Sequence, residues 1–155
     1  MVIGAWALGV HGQPRATRDL DFMVAAVDAD LERLGATLEE QIGLARHNPM
    51  LEGLQIRLTC GDMTVDVLAP RDEQDRSALR RRRRVKTSGG DFWCTSAEDF
   101  VLQKIKVGRA LDMEDAFSVL KRRAADVDRA YRHDWAGRLG LAVELDHLLS
   151  RLEGA

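Results

Sequence analysis

A chain of 155 residues has room for about one compact domain of ordinary size. Its 45% hydrophobic and 31% charged residues exclude a disordered or fibrous class. A net charge of −2 excludes a protein that grips nucleic acid with its whole surface and leaves room only for a local basic patch. Cys60 and Cys94 are far apart and form no CxxC, so neither a zinc ribbon nor a disulfide framework is readable. No apolar run approaches the roughly 20 residues of a membrane helix, and Met1-Val2-Ile3-Gly4 lacks the basic flank of a signal peptide. The expectation is a cytoplasmic protein with reduced thiols and no membrane contact.

In chain order, Met1–Ile3 reads as the end of a strand, and Gly4-Ala5 leads into a short helix around Trp6–Val10 that His11-Gly12-Gln13-Pro14 stops. Asp19–Val24 alternates polar and apolar residues, as a strand with one core face does. Asp28–Leu44 predicts a helix capped by Asp28 or Asp30, with Leu31, Leu34, Leu38 and Ile42 on one stripe. Gln55–Cys60 and Met63–Ala69 predict paired strands joined at Gly61-Asp62 and ended by Pro70. Asp75–Arg84 predicts a charged helix, and Val85–Ser88 with Phe92–Thr95 a second strand pair across Gly89-Gly90. Ser96 with Asp99 marks the start of a helix running to about Gly108, and Asp112 with Asp115 repeats the capping pattern. Leucines from Leu139 to Leu152 supply apolar faces for one or two closing helices. The fold class expected is α+β: a small mixed sheet flanked by helices within residues 1–95, and a helical part over 96–155, as one domain.

The residues that suggest chemistry are acids on strands. Period-two alternation puts Asp19 and Asp21 on one face while Leu20 faces the core. Asp66 sits inside the apolar run Thr64-Val65-Asp66-Val67-Leu68, where a strand interior disfavours an acid. Were the two strands neighbours, three carboxylates would converge. Two such charges about 4 Å apart repel by roughly 4 kcal/mol at an effective dielectric near 20. A hard divalent cation, above all Mg²⁺, relieves that. A D-x-D alone is a weak signal, and solvated strand acids are the plain alternative. Gly4-Ala5 at a strand-to-helix turn suits phosphate, because helix N-terminal N–H groups and the dipole act together. Arg15 and Arg18 stand beside the acids and either hold phosphate bidentately or neutralise Asp19 or Asp21.

Ile3-Gly4-Ala5-Trp6-Ala7-Leu8, His11-Gly12, Pro14-Arg15-Ala16-Thr17 and Asp19-Leu20-Asp21, taken in this order, resemble the minimal nucleotidyltransferases of the polymerase-β-like superfamily. More narrowly, they resemble the branch related to abortive-infection toxins of toxin–antitoxin pairs. The resemblance continues through Val65-Asp66-Val67-Leu68, Ser96–Lys104, Gly108-Arg109 and Asp112–Asp115. It implies transfer of a nucleoside monophosphate from an NTP to an acceptor with Mg²⁺ or Mn²⁺. It further implies that Gly4 and Ala5 cradle the triphosphate, that Asp19 and Asp21 bind metal, that Asp66 helps hold metal and activate the acceptor, and that Lys104 meets nucleotide phosphate. Arg18, Arg109 and Asp112 are second-tier site residues, Asp112 being a helix cap first. A tRNA or protein acceptor and an antitoxin partner also follow from the resemblance.

Two positions depart from that pattern: Ala5, where many relatives have Gly or Ser, and Leu111, where a basic residue often precedes the matched Asp112. Met1 begins almost at the phosphate turn, where the family usually has a preceding helix and strand. The expectation is a truncated form, a mis-set start, or a chain that fills the gap by dimerising across an exposed sheet edge. The alternatives to an enzyme are a catalytically silent binding module of the same fold and a polyanion- or RNA-binding protein using Arg80–Arg84. Those five arginines are read as one helical run, either a basic patch or a solvated face balanced by Asp72, Glu73 and Asp75. Trp6, Trp93 and Trp135 are expected in the core, and His11 as a turn residue.

Overall fold

In a computed structural model the described residues are 1–51 and 54–154, without the side chains of Asp28 and residues 48–51. Chain order is α1 Gly4–His11, β1 Asp19–Met23, α2 Asp28–Ile42, β2 Ala45–Leu51, β3 Gln55–Cys60, β4 Met63–Leu68, α3 Glu73–Arg81, β5 Arg83–Val85, β6 Phe92–Cys94, α4 Ala97–Val107, α5 Ala110–Arg123, α6 Arg129–Leu139 and α7 Ala142–Glu153. Two compact units result: Met1–Trp6 with Ala16–Thr95, and Ala7–Arg15 with Ser96–Ala155. Among the described residues no helix is long and apolar enough to cross a membrane.

The first unit is built on a four-stranded mixed sheet in the order β1-β4-β3-β2. The β1–β4 pair is parallel and the β4–β3 and β3–β2 pairs are antiparallel. Alternation assigns one face to the core, where Ile56, Leu58, Val65 and Val67 pack with Leu31 of α2, and Phe22, Leu34 and Leu38 close the edges. The helix ends at Gly43, whose left-handed φ of 72° lets its N–H reach the Glu39 carbonyl. Strand β2 was not expected from its sequence, which contains Pro49. It lies at the sheet edge with two register shifts, where a proline is tolerated.

Capping of α2 by Asp28 lies outside the described residues. Asp30 does not cap it either: Val27 holds the N-cap position, and Asp30 pairs with Arg33 one turn along. The β1 edge that the abrupt start was expected to expose is bonded by Met1–Ile3. Ile3 N–H donates to the Asp21 carbonyl at 3.0 Å and Met23 N–H to the Met1 carbonyl at 2.9 Å. Val2 also bridges to Cys94, which links the β5–β6 hairpin to the same surface.

Two further expectations are corrected here. The arginine run is not one helix: Arg80 and Arg81 end α3, Arg82 leaves helical geometry, and Arg83 and Arg84 begin β5. Asp72 caps that helix, accepting from Asp75 N–H at 2.9 Å, so the start lies before Asp75. Trp6 and Trp93 are exposed at 50% and 47%, since strand alternation turns Cys94 inward and Trp93 outward, under the Arg82 guanidinium. Burial pushes the Cys94 thiol up to about 11.

The second unit is helical. Ser96 caps α4, its Oγ accepting from Asp99 N–H at 3.1 Å and donating to Asp99 Oδ2 at 2.6 Å. Phe100, Leu102, Ile105, Val119, Leu120, Trp135, Leu145 and Leu148 are buried there, with Ala7 and Leu8 of α1. His11 is buried as the last residue of α1. Arg122 and Arg123 donate to the Gly12 and Val10 carbonyls, satisfying acceptors where α1 ends.

Candidate active site

The polar face of the sheet carries the acids. Register places Asp21 beside Asp66 across the parallel β1–β4 pair, and Asp66 beside Arg57 across β4–β3. The row Asp21, Asp66, Arg57 thus crosses three strands on one face, with Asp19 two residues along β1 opposite Thr64. Asp19 is exposed, Asp21 half-buried and Asp66 only 5% exposed.

Asp66 is therefore not a solvated strand residue. Arg57 grips it bidentately, Nε and Nη2 donating to its two oxygens at 2.7 Å each. The hydrogen bonds to Asp66, with the charges of Asp66, Asp19 and Asp21, hold the Arg57 guanidinium above its ordinary pKa. The sequence reading missed Arg57, although the signal was present. A two-residue turn at Gly61-Asp62 sets Cys60 against Met63, and counting back along the hairpin brings Arg57 opposite Asp66.

Gly4 opens α1 with a φ of 62°, a region that L side chains rarely adopt. A Cβ there would overlap Asp21 Oδ2 and stand 2.8 Å from Asp21 Cγ. The Gly4 turn and the second acid of the D-x-D are thus in direct contact, and only glycine fits between them. Ala5 follows, buried.

Hard carboxylate oxygens such as those of Asp19 and Asp21 are the donor type that suits Mg²⁺ or Mn²⁺. Asp66 does not fit as a third ligand while Arg57 holds both of its oxygens. Among the described residues, no group of three or more His, Cys, Asp or Glu is arranged to hold a metal. Of the three acids expected to hold metal, Asp66 is the one paired with an arginine.

Arg15, Lys104, Arg109 and Asp112 belong to the second unit, in a charge chain around two buried aspartates. Lys104 Nζ donates to Asp112 Oδ1 and Asp115 Oδ2, both at 2.8 Å. Arg109 Nε donates to Asp112 Oδ2 at 2.6 Å, and Arg15 holds Asp115 bidentately at 3.0 Å. Arg15 therefore pairs with Asp115 and neutralises neither Asp19 nor Asp21. Arg18 is exposed and pairs with neither acid. Lys104 is only 8% exposed, so it is no solvated surface lysine. Asp112 does not cap its helix: α5 starts at Ala110 with Arg109 at the N-cap, which frees the carboxylate for ion pairing. Burial alone would raise Asp112 and Asp115, but hydrogen bonds from Arg109 and Lys104 to the first, and from Arg15 and Lys104 to the second, hold both below the usual carboxylate range. Asp115 was expected only as a capping partner. Its i, i+3 spacing from Asp112 was the available sign that both project from one helix face.

The arginines from Arg80 to Arg84 do not form a free basic patch as a group. Arg80 pairs with Glu73 at 3.0 Å and Arg84 with Asp91 at 2.9 Å, and the Arg82 guanidinium lies 4.8 Å from the Trp93 ring centroid.

No family model matches the chain, and no curated protein matches it in sequence. Among solved structures, it is similar to the crystal structure of an antigenic nucleotidyltransferase-like protein from Paracoccidioides brasiliensis. That similarity has a TM-score of 0.61 at 15% identity, and covers 97% of this chain and 78% of the other. The chain has a nucleotidyltransferase-like α+β fold.

Proposed function

We propose that this protein is a nucleotidyltransferase that moves a nucleoside monophosphate from an NTP to an acceptor with the help of a divalent cation. The observation that carries the reading is the seating of Asp21 against the Gly4 turn, because it sets a metal-type carboxylate beside a helix N-terminus. Gly4 and Ala5 bind phosphate through the first backbone N–H groups of α1. Asp19 and Asp21 hold Mg²⁺ or Mn²⁺, which when bound supplies charge neutralisation to the reacting phosphates. Asp19, Asp21 and Asp66 share one face of the sheet, and Arg57 pairs with Asp66. Asp66 stays fixed beside Asp21 by its arginine. Arg15 and Lys104 are phosphate-binding cations in this proposal. Their cluster sets Arg15, Lys104 and Arg109 against Asp112 and Asp115.

A tRNA or protein acceptor, a toxin role opposed by an antitoxin, and a homodimeric state extend the same proposal. Thermal unfolding with each NTP, with and without Mg²⁺ or Mn²⁺, tests it on the wild type and on Asp21→Asn. A metal-dependent rise in Tm for one nucleotide, absent in the variant, is expected and names the donor. Label transfer from that NTP to tRNA or protein then identifies the acceptor. No rise with any nucleotide rejects the reading.

The arginine grip on Asp66 favours a second reading, a binding module of this fold that takes nucleotide without transferring it. Nucleotide protection without labelled product under any acceptor condition would select it.

A further inference from the structure

The helical unit contains a cavity of about 280 Å³ lined by α5, α6 and α7 and by the segment joining α5 to α6. Its walls are unlike on the two sides. Leu120, Leu149 and Leu152 form an apolar side, and Arg132, with Arg129 and His133, forms a polar one. Arg132 is only 3% exposed, yet its buried Nε has no hydrogen-bond partner among the described residues, and its guanidinium forms no ion pair with them. The carboxylate whose charge it feels is Glu98 of α4, whose Oε1 accepts the Asp128 N–H at 2.8 Å.

A guanidinium keeps its charge even when buried, so the fold carries beside the cavity a cation whose Nε has no hydrogen-bond partner among the described residues. We propose that this cavity is a binding site for a small organic monocarboxylate, its carboxyl group on Arg132 and its apolar body against Leu120, Leu149 and Leu152. The guanidinium fork matches a carboxylate bidentately. The volume lies near the lower end of ligand pockets, which restricts the body to a few carbons or one ring. The wall itself carries Arg129 and Arg132 against Glu153, with Glu98 of α4 behind Arg132. Nothing in this site draws on the residues assigned to nucleotidyl transfer, so the two readings stand or fall separately.

Hexanoate and benzoate are the probes, with hexanol as the uncharged control and inorganic phosphate and chloride as apolar-free anions. Saturable heat in calorimetry and a Tm rise on the order of 3 °C near saturation are expected for the carboxylates alone. Arg132→Met should abolish both while leaving the unliganded Tm equal or higher, because an unpaired buried cation is removed. Leu149→Phe, which keeps Arg132 and fills the cavity, should weaken binding at least tenfold, on the order of 1.4 kcal/mol. Equal protection by phosphate or chloride would reduce the site to an unselective anion contact and overturn the proposal. So would the absence of any carboxylate effect, or an Arg132→Met chain whose unliganded Tm falls by several degrees.

Discussion

Asp66 and Arg57 show how one residue pair changes the meaning of a site. An acid with 5% exposure between two valines needs a partner, because an ionised carboxylate out of water is costly unless hydrogen-bonded. Arg57 supplies two short charge-assisted bonds from the neighbouring strand. Arg57→Ala should lower stability by about 1–3 kcal/mol by stranding Asp66. Adding Asp66→Asn should recover part of that loss, because the stranded group is then neutral. A double-mutant cycle by urea unfolding measures the coupling, and additive losses would show that the pair does not hold the carboxylate. The alternating pattern of Gln55–Cys60 already turned Arg57 away from Ile56 and Leu58. What alternation leaves open is the partner, because hydrophobicity fixes which face a side chain takes but not what stands beside it.

At the level of elements, the entry into α1 is the most constrained join. Gly4 is needed both for its positive φ and for its closeness to Asp21. Gly43, which ends α2, has a φ of 72° but open space where a Cβ would stand, so it separates the two requirements. Gly43→Ala should cost about 1–2 kcal/mol, the left-handed penalty alone. Gly4→Ala should cost about 2–4 kcal/mol, since overlap with Asp21 adds to that penalty. Urea unfolding of both variants makes the comparison, and equal losses would mean that Asp21 yields freely. Most elements were legible because their periods and caps are local. The capping pair Ser96 and Asp99 is an example, as is the two-residue turn at Gly61-Asp62. Strand β2 was not, since its pairing depends on the sheet that receives it, and neither was the break in Arg80–Arg84, whose identical side chains carry no period.

For the molecule as a whole, the charge chain of Arg109, Asp112, Lys104, Asp115 and Arg15, with both aspartates and the lysine buried, makes stability depend on pH. Both acids have depressed folded-state pKa values, so they bind a proton less readily folded than unfolded. Their contribution is complete above the ordinary aspartate value, about 3.9, and disappears as pH falls through their lower folded values. Urea midpoints should therefore hold steady from about pH 7 to about 5 and fall steeply below about 4. The Asp112→Asn, Asp115→Asn double variant should be less stable at neutral pH and show a shallower acid limb. An acid limb as steep as that of the wild type would place the origin elsewhere.

By itself the sequence determined the class of the fold, the order of most of its elements and the residue types of its candidate site. Those follow from short-range rules: apolar period, capping, turn chemistry and the exclusion of acids from strand interiors. Only tertiary structure decided which charges meet. Parallel pairing of β1 with β4 set Asp21 beside Asp66, the β3 hairpin gave Asp66 to Arg57, and the packing of α4 with α5 gave Lys104 two carboxylates. Coulomb energy depends on distance and burial, and neither is defined until residues far apart in the chain are brought together.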